Sequence, residues 1–325
     1  MRAFEYASTT AFDEALGLLG GDGSARPLAG GTDLLPLMKA DVAHPQRLVD
    51  LKHLPELAAG MTETTDGLAL GALTTLAAIE SSPLLRSRYT ALAEAAGLAA
   101  SPQLRNMATL GGNLLQRPRC WYFRSSLFHC WLKGGETCHA REGQNQLHAL
   151  FGDSPCVAVH PSDPPAALLA FDAELALSGR DGPRSLPLAD FFSLPTDDHR
   201  LETVLEPNEL IVSIRLPTPA AGTRSTYLKA MNRKVWAFAL VGVAAVVRLD
   251  QGRVAHARLV LSGVAPIPWR AHAAERELIG AELTDSAIEH AAEVALAEAR
   301  PLNNNAYKVP LARALIRQSL HTLRA

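Results

Sequence analysis

Apolar residues recur at helical spacing in AFDEALGLL, where Phe12, Ala15, Leu16 and Leu19 share one face. Thr9 and Thr10 stand before it as caps and Gly20-Gly21 follows as a stop, so the pattern predicts a helix over 11–19. A short strand is expected at 26–28, running straight into Gly30-Gly31-Thr32-Asp33, and another at 47–51. Residues 67–72 read as a strand, and 76–79 with 84–100, rich in Ala and Leu, as helical. Farther on, 166–171 reads as a helix and 174–178 and 209–216 as strands. PTPAAGTRS at 217–225 has a linker's composition. Strands at 226–231, 237–249 and 253–264 then predict an antiparallel meander, with Gly252 in a turn, and helices at 271–279, 286–299 and 306–323 close the chain. Short strands alternating with helices imply α+β or α/β layers.

From Ser101 to about Asp163 neither period is sustained. This stretch carries Gly111-Gly112, three aromatics at 121–123, Gly134-Gly135 and all the cysteines of the chain. A loop of such length inside a compact domain is functional or disordered, and its aromatics and cysteines argue against disorder. Something other than protein is expected to organise it.

Composition narrows the classes. The 325 residues suffice for two domains, and 48% hydrophobic with 20% charged residues is ordinary for a globular protein. A formal net charge of −2 offers no long-range attraction for nucleic acid or an anionic membrane. The apolar run at 238–247 ends at Arg248 and Asp250, short of a membrane span, and the first residues lack a secretory core. A cytoplasmic location is expected, with export on a partner's signal as the alternative.

Cys120, Cys130, Cys138 and Cys156 are the only cysteines. A disulfide framework is disfavoured by the reducing compartment expected here and by a size that needs no staples. Zinc is an alternative, since His129 and His139 adjoin two of them, although gaps of nine, seven and seventeen residues are not the close pairs of structural zinc sites. Four thiolates also suit an iron–sulfur cluster, again without a familiar spacing. Unligated thiols remain a third reading.

Pro27-Leu28-Ala29-Gly30-Gly31-Thr32-Asp33 is a strand entering a glycine turn, where backbone N–H groups can approach an anion with no Cβ in the way. A tight turn is the plainer reading of one such pair, and it is not the G-x-G-x-x-G fingerprint. Thr109-Leu110-Gly111-Gly112-Asn113 supplies a second turn, so the two could clasp a pyrophosphate from two sides. His160-Pro161-Ser162-Asp163 either caps the following helix or meets a cofactor.

Four blocks, AGGTDLLPLMK at 29–39, NMATLGGNLLQRPRC at 106–120, HPSD at 160–163 and YLKAMNRKVWAFALV at 227–241, resemble in order and separation the FAD-binding subunit of the xanthine dehydrogenase and carbon monoxide dehydrogenase family. The resemblance runs from about residue 2 to the end. It implies an α+β protein with the p-cresol methylhydroxylase/vanillyl-alcohol oxidase-type FAD-binding fold of two α/β subdomains. That domain would span 1–218, with an insertion at about 117–158. A C-terminal domain over 224–325, of a three-stranded antiparallel sheet and helices, would follow. It implies Leu28, Ala29, Gly30, Gly31, Thr32, Asp33 and Leu34 as the first pyrophosphate loop and Thr109, Gly111, Gly112 and Asn113 as the second. Ser162, Asp163 and Lys229 would lie near the flavin; a solvated strand lysine is the other reading of Lys229. The cysteine-bearing insertion is similar to that of 4-hydroxybenzoyl-CoA reductase and periplasmic aldehyde oxidoreductase flavin subunits, which implies a [4Fe–4S] cluster on Cys120, Cys130, Cys138 and Cys156. His129, His139 and His148 then read as ordinary loop residues.

No carboxylate pair or activated nucleophile stands out, as expected of a chain whose chemistry belongs to its cofactors. The resemblance implies substrate oxidation on a large molybdenum-cofactor subunit, electrons arriving through a small [2Fe–2S] subunit, and exchange with an external partner such as ferredoxin, NAD or oxygen. Two rivals are an independent flavin oxidase and a zinc-stabilised module without redox function.

Overall fold

The computed structural model describes residues 1–324 and contains three sheets. In the first, β1 (Glu5–Ser8) and β2 (Ala25–Leu28) flank β3 (Arg47–Asp50), all parallel. The helix Phe12–Leu19 makes the crossover and buries Ala15, Leu16 and Leu19. The second sheet is antiparallel, ordered β4 (Met61–Thr64), β5 (Gly67–Gly71), β8 (Leu210–Pro217), β6 (Glu174–Gly179) and β7 (Gly182–Pro187). Its outer strands are largely exposed, while Leu68, Leu70, Leu175, Leu177 and Ile214 of the inner strands join one core with the helices Leu76–Ser81 and Thr90–Leu98.

The third sheet is the expected meander, β9 (Thr223–Ala230), β10 (Val241–Asp250) and β11 (Arg253–Ser262), extended by the two-residue β12 (Trp269–Arg270). It therefore has four strands, not three. β10 is buried on both faces: Ala244 and Val246 enter the first core, whereas Val243, Ala245 and Val247 pack with the helices Asp285–Leu296 and Lys308–Arg324. Strand alternation thus sews the two cores together through one element.

Three further expectations shift. The helical run expected over 84–100 breaks at Tyr89 (φ −131°, ψ 48°), whose buried ring meets Phe171 edge-on and whose hydroxyl donates to the Pro217 carbonyl at 3.0 Å. The linker at 217–225 shortens, because Thr223–Ser225 pair with β10. The aperiodic stretch holds short helices at Pro102–Arg105 and Leu110–Leu114. Beyond Leu115 it has only a 3-10 turn, Trp131–Lys133, before the helix at Pro164. No helix among the described residues is long and apolar enough to cross a membrane.

Lys308 is fully buried and donates to the carbonyls of His148 (2.9 Å) and Gly263 (2.8 Å), with no carboxylate partner among the described residues. Burial pulls its pKa from 10.5 down to about 7. Between those values the unfolded chain holds more protons than the folded one, so this lysine makes stability rise with pH across that window. Paired thermal melts from pH 7 to pH 9.5 should show the wild type gaining several degrees relative to Lys308→Met; parallel curves would exclude the effect.

Candidate functional site

The two glycine segments meet. Gly30 lies against the backbone of the second segment so closely that a Cβ there would overlap the Met107 carbonyl oxygen and stand 2.7 Å from its carbon. Gly31, at φ +69°, turns the chain out of β2 into the helix Leu34–Lys39. From Gly30 to Leu34 no backbone N–H has an acceptor among the described residues. Such a run of free donors at a turn is an anion cradle in waiting.

The second segment is built differently. Leu110 N–H donates to Thr74 (2.8 Å), Gly111 N–H to Ala72 (2.9 Å) and Asn113 N–H to Thr109 (2.8 Å), while the Thr109 hydroxyl caps Gly112 N–H at 3.3 Å. Its backbone donors are thus spent internally. Gly111 is required by packing, since a Cβ would press on Ala72 at 3.0 Å. What this segment offers is the Asn113 side chain: its amide oxygen accepts from the Ser162 hydroxyl, and its amide nitrogen has no acceptor among the described residues.

Ser162 belongs to a buried polar chain. His160 holds the end of the second segment, its Nε2 3.2 Å from the Leu114 carbonyl, and its Nδ1 accepts from Ser162 N–H at 3.4 Å. Burial lowers the His160 pKa to about 4, so the ring is neutral and can fill both roles. Asp163 starts the next helix without capping it, contrary to the capping expectation. Its carboxylate accepts instead from the Tyr227 hydroxyl (2.6 Å) and from Lys229 Nζ (2.7 Å). Burial pushes the Asp163 carboxyl upward against the pull of Lys229. Lys229, whose side chain is 1% exposed, also donates to the Leu98 carbonyl, so it is not a solvated strand lysine.

Asp33 joins the first segment to the insertion. Its carboxylate accepts from Arg117 N–H (2.9 Å) and from the guanidinium groups of Arg119 and Arg124 (both 2.7 Å). Two arginines therefore neutralise an acid that would otherwise repel an anion held by the neighbouring amides.

The four cysteines are all free and line one small cavity with Tyr122, Phe123, Trp131, Leu132, His139, Ala140 and Ala158. The Ala158 N–H donates to Cys156 Sγ at 3.5 Å, and the amides of Tyr122 and Phe123 beside Cys120, and of Leu132 and Lys133 beside Cys130, pull those thiols down. Such donors favour thiolates. Yet burial holds Cys120 up at about 11 and raises Cys130, so these two become thiolates only beside a cationic centre. The neighbouring Cys156 thiol pulls the Cys138 pKa down. No three His, Cys, Asp or Glu side chains among the described residues close on a point that would take a single metal ion.

His148, read from the sequence as an ordinary loop residue, has Nε2 3.2 Å from Cys120 Sγ. His160 was likewise legible only as part of a polar knot. Nothing local in the sequence marks either as a positioning residue, because their partners lie 28 and 46 residues away.

Comparison with known proteins follows this geometry. Residues 2–219 match the family described as the FAD binding domain in molybdopterin dehydrogenase, and residues 226–323 the CO dehydrogenase flavoprotein C-terminal domain. The chain is 38% identical to the aldehyde oxidoreductase FAD-binding subunit PaoB of Escherichia coli K12, covering 100% of this chain and 99% of that one. It is 34% identical to the carbon monoxide dehydrogenase medium chain of Hydrogenophaga pseudoflava, over 98% and 96% of the two. The solved carbon monoxide dehydrogenase from that organism, in a form lacking the Mo-pyranopterin moiety of the molybdenum cofactor, superposes with a TM-score of 0.79.

Proposed function

The chain belongs to the FAD-binding medium-subunit family of the xanthine dehydrogenase and carbon monoxide dehydrogenase type, and on that premise we propose that it relays electrons through FAD and one [4Fe–4S] cluster. The observation that carries the flavin part is the run of acceptor-less N–H groups from Gly30 to Leu34, packed against the second glycine segment. These amides would hold the diphosphate, while Thr32 and the Asn113 amide nitrogen add side-chain donors. Ser162 and His160 fix Asn113 and its helix in place. The Asp163–Lys229–Tyr227 network anchors that wall to the C-terminal sheet. FAD bound there supplies a ring able to accept electrons singly and to release one or two.

The cavity walled by Cys120, Cys130, Cys138 and Cys156, four free cysteines and no others in the chain, supports the four-thiolate cluster. Asp33, bound to Arg119 and Arg124, connects that lobe to the diphosphate cradle, which favours a common electron path. By likeness to the aldehyde oxidoreductase and carbon monoxide dehydrogenase subunits, the partners are a large molybdenum-cofactor subunit and a small [2Fe–2S] subunit, with an aldehyde or aromatic compound oxidised on the large one. Ferredoxin, NAD or oxygen would be the external partner.

The test is an anaerobic purification with the partner chains, followed by flavin and iron analysis. The wild type should carry FAD and about four irons beyond those of its partners. Cys138→Ser should lose those irons and the broad visible absorbance while keeping the flavin. Retention of all the iron in Cys138→Ser, or zinc in place of iron, would refute the cluster.

A further inference from the structure

His148 is 2% exposed, and its ring is the one imidazole within hydrogen-bond distance of a cysteine sulfur among the described residues. Nε2 lies 3.2 Å from Cys120 Sγ, Trp121 packs edge-on at 5.1 Å, and Nδ1 is buried without a partner. A thiolate bound to iron has no proton to give. In such a pair the imidazole must be the donor, and with Nδ1 unpartnered the single N–H of a neutral ring belongs on Nε2.

The backbone that carries the ring is held from the far end of the chain. Asn305 Nδ2 donates to the carbonyls of His148 (3.1 Å) and Ala149 (2.9 Å), and Lys308 Nζ to His148 (2.9 Å). Asn304 N–H meets Asn145 Oδ1 at 2.9 Å, and the Tyr307 hydroxyl meets the Gln146 carbonyl at 2.9 Å. Residues 304–308, at the start of the last helix, thus form a strap over 145–149. The strap ends on the one residue whose side chain lies within hydrogen-bond distance of a cysteine sulfur among the described residues.

We propose that His148 is a positioning residue for the cluster, its Nε2–H···Sγ hydrogen bond fixing Cys120 and raising the reduction potential, with the C-terminal strap setting that bond. The inference rests on the [4Fe–4S] reading above. Reduction adds one electron and moves no proton, so the reduced cluster is the more negative form. A donor that draws charge from a ligating sulfur stabilises that form more than the oxidised one.

The experiment is a redox titration of the purified complex followed by low-temperature electron paramagnetic resonance, with iron counted on each sample. His148→Leu should keep its iron and titrate at a more negative midpoint. At a fixed poise near the midpoint its reduced-to-oxidised ratio should fall about tenfold, equivalent to 59 mV for one electron. His148→Gln, which restores an N–H donor, should recover most of that shift. A His148→Leu midpoint equal to the wild type, with full iron, overturns the inference, as does a His148→Gln midpoint as low as that of His148→Leu. Wild-type complex without the extra iron would instead overturn the cluster reading itself. Should His148→Leu lose iron, the reduced wild type labelled with 15N-histidine decides. Hyperfine coupling to a ring nitrogen and to an exchangeable proton supports the bond, and absence of both overturns it.

Discussion

Gly30→Ala should leave a chain that folds but retains less than a tenth of its flavin. The reason is steric, since Gly30 does not sit at positive φ. The added methyl would overlap the Met107 carbonyl, which is backbone, held in a turn by Met107 and Ala108 N–H donating to Leu104. Neither partner can move as a flexible side chain would, so the two glycine segments must separate. Each amide that loses its phosphate oxygen forfeits a hydrogen bond to a charged group, worth about 1.5–3 kcal/mol. A tenfold loss of affinity needs only about 1.4 kcal/mol. Gly17→Ala is the matched control, because its Cβ would meet nothing within 4 Å and it lies inside a helix. That variant should keep its flavin and gain roughly 0.5–1 kcal/mol of stability. Flavin released on denaturation, per chain, is the readout; full flavin in Gly30→Ala would exclude the steric account.

Lys229→Met should lower the melting temperature by about 5–10 °C, the largest effect on stability expected of a single substitution here. The Lys229 and Asp163 side chains are 1% and 4% exposed. Removing the amine leaves a buried carboxylate with the Tyr227 hydroxyl as its remaining side-chain donor, and an ion pair broken in this way costs about 3–5 kcal/mol. Asp163→Asn combined with Lys229→Met should recover more than half of the loss, since an amide is cheap to bury where a carboxylate is not. The sign of the pH dependence follows. In Lys229→Met the carboxyl, already pushed up by burial, titrates above its unfolded value, so folding is favoured at low pH and the deficit widens as pH rises through the folded pKa. A melting point within two degrees of the wild type across pH 5–8 would count against the pair as a structural anchor.

Elements whose burial is periodic were legible in the sequence. The helix at Phe12–Leu19, the meander strands and the closing helices each bury one face or both, and their bounds shift by only a few residues. β1, β4 and β7 escaped notice because they are edge strands. EYAS, MTET and GPRSLP show no buried side chains, so no inward alternation exists to read. The break at Tyr89 was hidden for the opposite reason: its cause, the Pro217 carbonyl, lies 128 residues away.

The same division runs through the site. Glycine pairs and clustered cysteines are local signals and drew attention at once. Which donors those glycines leave free is not local. The first segment keeps its N–H groups unspent and the second spends them on Thr74 and Ala72, a difference that the similar strings AGGTD and TLGGN do not reveal. Asp33 shows the limit of motif reading, for its backbone N–H belongs to the cradle while its carboxylate serves Arg119 and Arg124 across the lobe boundary. For Lys229, burial removes the solvated-strand alternative to a place near the flavin; for His148, expected to be an ordinary loop residue, one contact across 28 residues overturns that expectation.

A density map of the assembled complex purified with its own flavin tests the central claim most directly. The diphosphate should lie within hydrogen-bond distance of the amides between Gly30 and Leu34, with the Asn113 side chain on its other side. Density for the diphosphate elsewhere on the chain, or those amides turned toward protein acceptors in the loaded state, would contradict it.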